Sequence, residues 1–294
     1  MSKLLSAAVL ALLAGTTLVG APAIAADPTP ATPAQPSTAT PGSRIAAERS
    51  AAIVTIKFVL KSEEGEQEEE TTGAMMDASG LVICSNKPFG GLMARMGMSV
   101  PTPTDIKILV GDDTQGVSAK FLARDTELGL AWLQVEEAPK TPYAFIDFAQ
   151  SAEPKTGEVL YAVSLMGKFF DRAPMLSEGF VTATVTKPRT LIMPSVGIVV
   201  GGDEGLPIFD ANNKVVGFST LILPEREEMV AGQMQAAMKG FLGQMILPSK
   251  DVLDATARAK ETAKNNPAPE EPKADAPPAP EAPAAPEPAP APKQ

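Results

Sequence analysis

Short runs of alternating apolar and polar residues fill the middle of the chain. A period of two marks strands with one buried face. The stretch 52–60, AIVTIKFVL, carries β-branched residues at alternate positions and predicts a strand. Further strands are predicted at 72–76, 81–85, 106–110, 117–122 and 130–135. In the second half they fall at 159–164, 179–184, 190–193, 197–200, 207–209 and 215–221. The turn Asp77-Ala78-Ser79-Gly80 and the loop 111–116 separate two of the pairs. The acidic run 63–70 repels itself and reads as a solvated hairpin loop. Many short strands with Gly and Asp turns imply an all-β fold of antiparallel barrels. The period changes near the end. Within 225–241, Val230, Met234, Met238 and Phe241 share one helical face. A second helix is expected after Ser249 as cap, with Val252 and Leu253 facing inward. Pro224 and Pro248 punctuate the two starts.

The ends differ from the middle. Lys3, the apolar run 4–19 and the exit Ala23-Ile24-Ala25 read as a signal peptide over 1–25. The run is short for a membrane anchor and is diluted by Gly15, Thr16 and Thr17. Residues 26–43 form a Pro/Thr-rich linker, and 265–294 a Pro/Ala/Glu-rich tail. Neither holds enough apolar bulk to offset the entropy of ordering a chain. Extended at about 3.1 Å per residue, the tail could reach on the order of 90 Å, as spacer or as docking segment. The folded part is therefore expected at 44–264.

Charge and composition narrow the function. The net charge of −10 argues against nucleic acid, since phosphate needs a basic face. No second apolar run suits a bilayer crossing, so no membrane insertion is expected after signal cleavage. The single cysteine, Cys84, excludes an internal disulfide and sits in a strand pattern as a core filler. The chain of 294 residues has no histidine, which removes the commonest general base and the commonest transition-metal ligand.

The stretches 72–86 (TGAMMDASGLVICSN), 130–133 (LAWL) and 202–208 (GDEGLPI), taken in this order, resemble the HtrA-type branch of the trypsin-like serine proteases. The stretch 72–86, TGAMMDASGLVICSN, is similar to that family's G-S-G-F-I-I-x-x-x-G-Y-I-L-T-N strand pair. Residues 105–110, 119–125 and Leu130-Ala131-Trp132-Leu133 resemble its next hairpin and its D-L-A-L-L strand. Val181-Thr182-Ala183 resembles G-x-V-S-A, and 202–208 (GDEGLPI) stands where the family has G-N-S-G-G-P-L. Val215-Val216-Gly217-Phe218 resembles V-I-G-I, and 244–249 resembles the F-A-I-P strand before the last helix. The resemblance spans about 47–257 and implies two six-stranded barrels with a C-terminal helix. The tail begins at once after it, so a PDZ domain is not expected.

The departures bear on activity. The resemblance puts Lys87 where the family has its histidine, Gly129 where it has its aspartate and Glu204 where it has its nucleophilic serine. Peptide hydrolysis on this fold needs an attacking hydroxyl, a base of near-neutral pKa and an acid to orient it. Lysine, at about 10.4, is protonated at neutral pH. Carboxylates at Asp203 and Glu204 would oppose negative charge developing in an oxyanion pocket. An inactive protease homologue follows. Lys87 and Glu204 are expected to meet as an ion pair; the alternative is that both face solvent independently. A separation beyond about 6 Å would exclude the pair.

Other chemistry is weaker. Ser85 could share a face with Lys87, but it would sit away from any oxyanion pocket. Cys84 has no histidine partner. Met93, Met96 and Met98 form M-x-x-M-x-M, a thioether pattern that suits Cu(I) or plain gap filling. No cofactor is expected. Candidate cleft residues are Val196, Gly197, Ile198, Gly202, Asp203 and Glu204, and strand edges beside 179–184 could accept an added peptide strand. The expectation is an exported peptide- or protein-binding homologue. The alternatives are an inert envelope component and a hydrolase of unrecognised route.

Overall fold

The computed structural model describes residues 39–62, 65–95, 97, 98, 100, 102–187, 189–195, 197, 198, 204–221 and 244–265. The expected signal peptide, most of the linker and nearly all of the tail lie outside them, as does the expected helix at 225–241.

The first barrel takes β1 (Ile53–Ser62), β2 (Gly65–Met75), β3 (Leu81–Ser85), β4 (Pro103–Leu109), β5 (Val117–Asp125) and β6 (Leu130–Val135). The second takes β7 (Val159–Leu165), β8 (Pro174–Val185), β9 (Leu191–Pro194), β10 (Pro207–Asp210), β11 (Val215–Leu221) and β12 (Gln244–Pro248). Both close with every pair antiparallel, in the orders β1-β2-β3-β6-β5-β4 and β10-β11-β12-β9-β8-β7. Closure leaves no long open sheet edge. Helices α1 (Pro41–Arg49), α2 (Gly91–Arg95) and α3 (Ser249–Asn265) complete the described part. The all-β double barrel with a C-terminal helix is the fold read from the sequence.

Three apolar clusters explain the strand patterns. Val54, Ile56, Phe58, Val82, Cys84 and Leu133 fill the first barrel. Leu160, Val181, Ile192, Ile198, Ile208 and Ile246 fill the second. The third cluster lies between the barrels and under the terminal helices, and includes Leu81, Ile83, Trp132, Tyr161, Phe218 and Val252. This is why β3 reads as an unbroken apolar run. Val82 and Cys84 point into one barrel while Leu81 and Ile83 point towards the other, and all five residues of the strand are buried. Truncating such a side chain to Ala costs about 2–5 kcal/mol.

Several expectations need correction. Most of the acidic run is not a loop: 65–70 is the first half of β2, paired residue by residue with β1, while 63 and 64 lie outside the described residues. Cations offset the repulsion, with Lys57 Nζ 2.9 Å from Glu68 and Lys61 Nζ 3.1 Å from Glu66 across the strand pair, and Arg172 of the turn before β8 3.1 Å from Glu70. Gly197 and Ile198 lie outside any strand. The fold starts earlier than Arg44, because α1 begins at Pro41 with the Thr40 hydroxyl accepting from Ser43 N at 3.2 Å. Of the pair expected to face inward on α3, Val252 is buried but Leu253 is exposed. Ser249 is the first residue of α3, and its hydroxyl donates to Val215 O at 3.5 Å.

Candidate functional site

Three chain segments meet where the two barrels touch. The first follows β3. Asn86 N donates to Gly129 O at 2.9 Å, and the Asn86 side-chain amide donates to Asp125 O at 2.9 Å. Asn86 O accepts from both Phe89 N and Gly91 N. These bonds fold the chain back directly after the strand and leave Lys87 at the rim.

The second segment is the turn between β5 and β6. The Asp125 carboxylate accepts from Glu127 N at 3.1 Å and Leu128 N at 2.9 Å. Gly129 then takes φ +71°, and a Cβ there would lie 2.6 Å from Thr220 Oγ1. The Thr220 hydroxyl donates to Leu128 O at 2.5 Å, which ties this turn to β11 of the other barrel.

The third segment enters β10. Gly205 N donates to Ser219 O at 3.0 Å, and the Ser219 hydroxyl accepts from Leu206 N at 2.9 Å. Both Ser219 and Thr220 are buried. Sequence reasoning passed over them, although two hydroxyls inside an apolar strand (215–221) are a signal, since buried polar groups need partners.

Glu204 is held just before this anchor. Its side chain is 7% exposed and that of Lys87 is 54% exposed, with Nζ 3.2 Å from Oε1. The charged atoms are thus well inside the limit set above. The other carboxylate oxygen, Oε2, is buried and has no hydrogen-bond partner among the described residues. The pair is lopsided: one charge keeps most of its water while the other is removed from it. An exposed pair contributes about 0–1 kcal/mol, whereas an orphaned buried polar atom costs about 1–3 kcal/mol.

The structure therefore brings together Lys87, Gly129 and Glu204. Gly197 lies in a turn, while Val196, Gly202 and Asp203 are outside the described residues. Ile198 is buried inside the second barrel against Leu160, Val181 and Ile208 and presents no exposed side chain, which corrects its place among the cleft candidates. The added-strand mode at 179–184 also fails on β8 itself. Leu160 and Val159 of β7 face Gly179 and Phe180, Glu158 O accepts from Val181 N, and β9 takes 181–185.

The remaining candidates separate. Ser85 Oγ accepts from Lys87 N at 3.2 Å and is packed beneath Gly205. Cys84 is wholly buried, and burial pushes its thiol far above the ordinary range. Met93 and Met98 are exposed, joined by Met98 N donating to Met93 O at 2.9 Å; Met96 is outside the described residues. Among the described residues no group of three or more His, Cys, Asp or Glu side chains is placed to hold a metal ion. No described helix is long and apolar enough to cross a membrane.

Two packed six-stranded barrels with a site at their junction define a chymotrypsin-type architecture. The chain belongs to the trypsin-like peptidase domain family, whose pattern matches residues 42–218. It is 24% identical over 167 residues to a probable periplasmic serine endoprotease DegP-like of Rickettsia conorii, across 53% of this chain and 30% of the relative. It is 30% identical over 148 residues to the protein of the same description from Bartonella henselae, across 49% of this chain and 27% of the relative. The match thus takes in under a third of the length of these curated relatives. The crystal structure of Deg5 aligns with a TM-score of 0.49 at 15% identity, covering 74% of this chain and 91% of that chain. The HtrA-type resemblance read from the motifs is supported by the two DegP-like relatives.

Proposed function

We propose that this chain is an exported trypsin-like peptidase homologue that binds a peptide or a protein segment without cutting it. One observation carries the reading. Glu204, which the family resemblance aligns with the attacking serine, has its carboxylate paired at 3.2 Å with Lys87, which the resemblance aligns with the proton acceptor. Neither group can supply the chemistry. A carboxylate there repels the negative charge of a tetrahedral intermediate, and a lysine ammonium has no lone pair with which to take a proton. The chain has no histidine to substitute from elsewhere. At the third position Gly129 leaves no side chain, and Thr220 Oγ1 occupies the space one would need.

Binding is the function such a site can keep, since hydrogen bonds at Asn86, Leu128 and Gly205 fix the main chain on its described sides. Export is supported by the leader-like residues 1–25 and by the periplasmic description of the relatives. The test has two parts. Purified protein is incubated at length with casein and with chromogenic esters, and no turnover above a heat-denatured control is expected. Crosslinking in the native envelope is then compared for full-length protein and for protein lacking 266–294. Retained capture without the tail supports the barrels as the binding part. Capture by the tail alone would instead favour an inert core whose ends do the connecting, and turnover would end the reading.

A further inference from the structure

We propose that the cleft receives an arginine side chain of its peptide ligand on Glu204, and that Lys87 holds the place of that guanidinium in the free protein. The proposal rests on the peptide-binding reading above and names the chemistry of the ligand.

The unequal use of the two carboxylate oxygens motivates it. An ionised carboxylate has about four lone-pair sites. Here Oε1 meets Lys87 Nζ at 3.2 Å, while Oε2 is buried with no partner among the described residues. Burying a charged oxygen unpaired is unfavourable, so the free protein carries a deficit that an arriving donor relieves. Ammonium groups act as compact points and satisfy one oxygen at a time. A guanidinium presents parallel N–H groups whose spacing matches both carboxylate oxygens at once. Arginine therefore fits this carboxylate better than its own lysine does.

Lys87 suits the part of a placeholder. Its side chain is 54% exposed, so withdrawing the ammonium into water needs little further solvation, and its flexible stem lets it swing aside. The main-chain anchors on either side stay fixed during such a swing. Asn86 is bonded to Gly129 and Asp125, and Gly205 and Leu206 are bonded to Ser219. The net charge of −10 draws cationic segments towards the protein and disfavours acidic ones.

The experiment uses the full chain after leader removal and a paired array of hexapeptides. Each peptide is present with arginine and with citrulline, its uncharged isostere, at the same position. Binding is read by fluorescence polarisation for wild type, Lys87→Met and Glu204→Gln, with Trp132 emission confirming that each variant is folded. The expected result is that arginine peptides bind wild type about tenfold or more tighter than their citrulline twins. Lys87→Met, which removes the competitor, should bind the arginine peptides more tightly still. Glu204→Gln should bring the two sets to parity. Equal affinity of the twins for wild type, or an arginine preference that survives Glu204→Gln, overturns this proposal and leaves peptide binding standing. If no peptide of either set binds, the peptide reading falls and this inference with it.

Discussion

Gly205 and Ser85 meet backbone to backbone: a Cβ on residue 205 would lie 2.5 Å from Ser85 N and 3.1 Å from Ser85 Cβ. Gly205 also holds φ +92°, a conformation other residues reach only under strain. The two barrels are joined at this point with no room between them. Gly205→Ala should therefore destabilise the fold by about 2–4 kcal/mol, from strain and overpacking together. Urea unfolding followed through the single tryptophan gives the number. A change below about 1 kcal/mol would mean the contact is looser than described.

On the proposed reading, placing a base and a hydroxyl in the site should not produce cleavage. Lys87→His with Glu204→Ser supplies a base and a hydroxyl, but the third position stays closed. Gly129 has φ +71°, and any side chain there meets Thr220 Oγ1 at 2.6 Å. Gly129→Asp alone should cost about 2–3 kcal/mol. The double variant should show no esterase turnover, and the triple variant should melt below the wild type. Measurable hydrolysis by the double variant would show that the cleft is still wired for catalysis.

Acid should weaken one turn in particular. Burial acts to raise the Asp77 carboxyl, but hydrogen bonds from the Ser79 hydroxyl and from the Leu81 and Ser79 N–H groups, with the charge of Lys260, outweigh it and hold the group below the ordinary 3.8. A depressed carboxyl contributes stability above its unfolded value, and that contribution is lost as pH falls through the folded value. The loss therefore begins below about 3.8. Asp77→Asn keeps an acceptor for Ser79 and Leu81 but does not titrate. Its melting temperature should lie below that of wild type at neutral pH, and the gap should close on acidification. A gap unchanged from neutral to acid pH would remove the turn from the list of acid-sensitive points.

Cys84 should behave as a sealed reporter. Its sulfur lies 3.7 Å from Ala131 O in the interior of the first barrel, and burial keeps it as the thiol. Iodoacetamide should leave the native protein unmodified and add one group per chain in concentrated guanidinium, as counted by intact mass. Ready labelling of the native form would imply that the first barrel opens locally.

The strands of both barrels were largely legible because most present one apolar face, and those buried on both faces read as short unbroken apolar runs. Runs 130–135 and 215–221 match β6 and β11 end to end. The acidic half of β2 was misread because its stabilisers, Lys57 and Lys61, sit on the neighbouring strand and are invisible within 63–70. Leu253 was placed inward because it follows Val252, yet a helix turns adjacent residues apart, and only Val252 meets the core. At the site, the meeting of Lys87 with Glu204 could be inferred from the family resemblance. The bare Oε2 and the Thr220 hydroxyl facing Gly129 could not, since both depend on how segments distant in sequence abut where the two barrels meet.

The terminal helices are exchanged between the halves. α1 precedes the first barrel in sequence but lies on β7 and β8 of the second, with Arg49 donating to Asn213 Oδ1 and O at 2.8 Å each. α3 follows the second barrel but reaches β5 and β6 of the first, where Trp132 Nε1 donates to Thr256 Oγ1 at 3.0 Å. Each half is thus belted by a segment encoded beyond the other. Separating the halves by cutting the connection between them would strip each of its belt and expose the apolar seam, so each barrel depends on the other's flanking segment to stay packed.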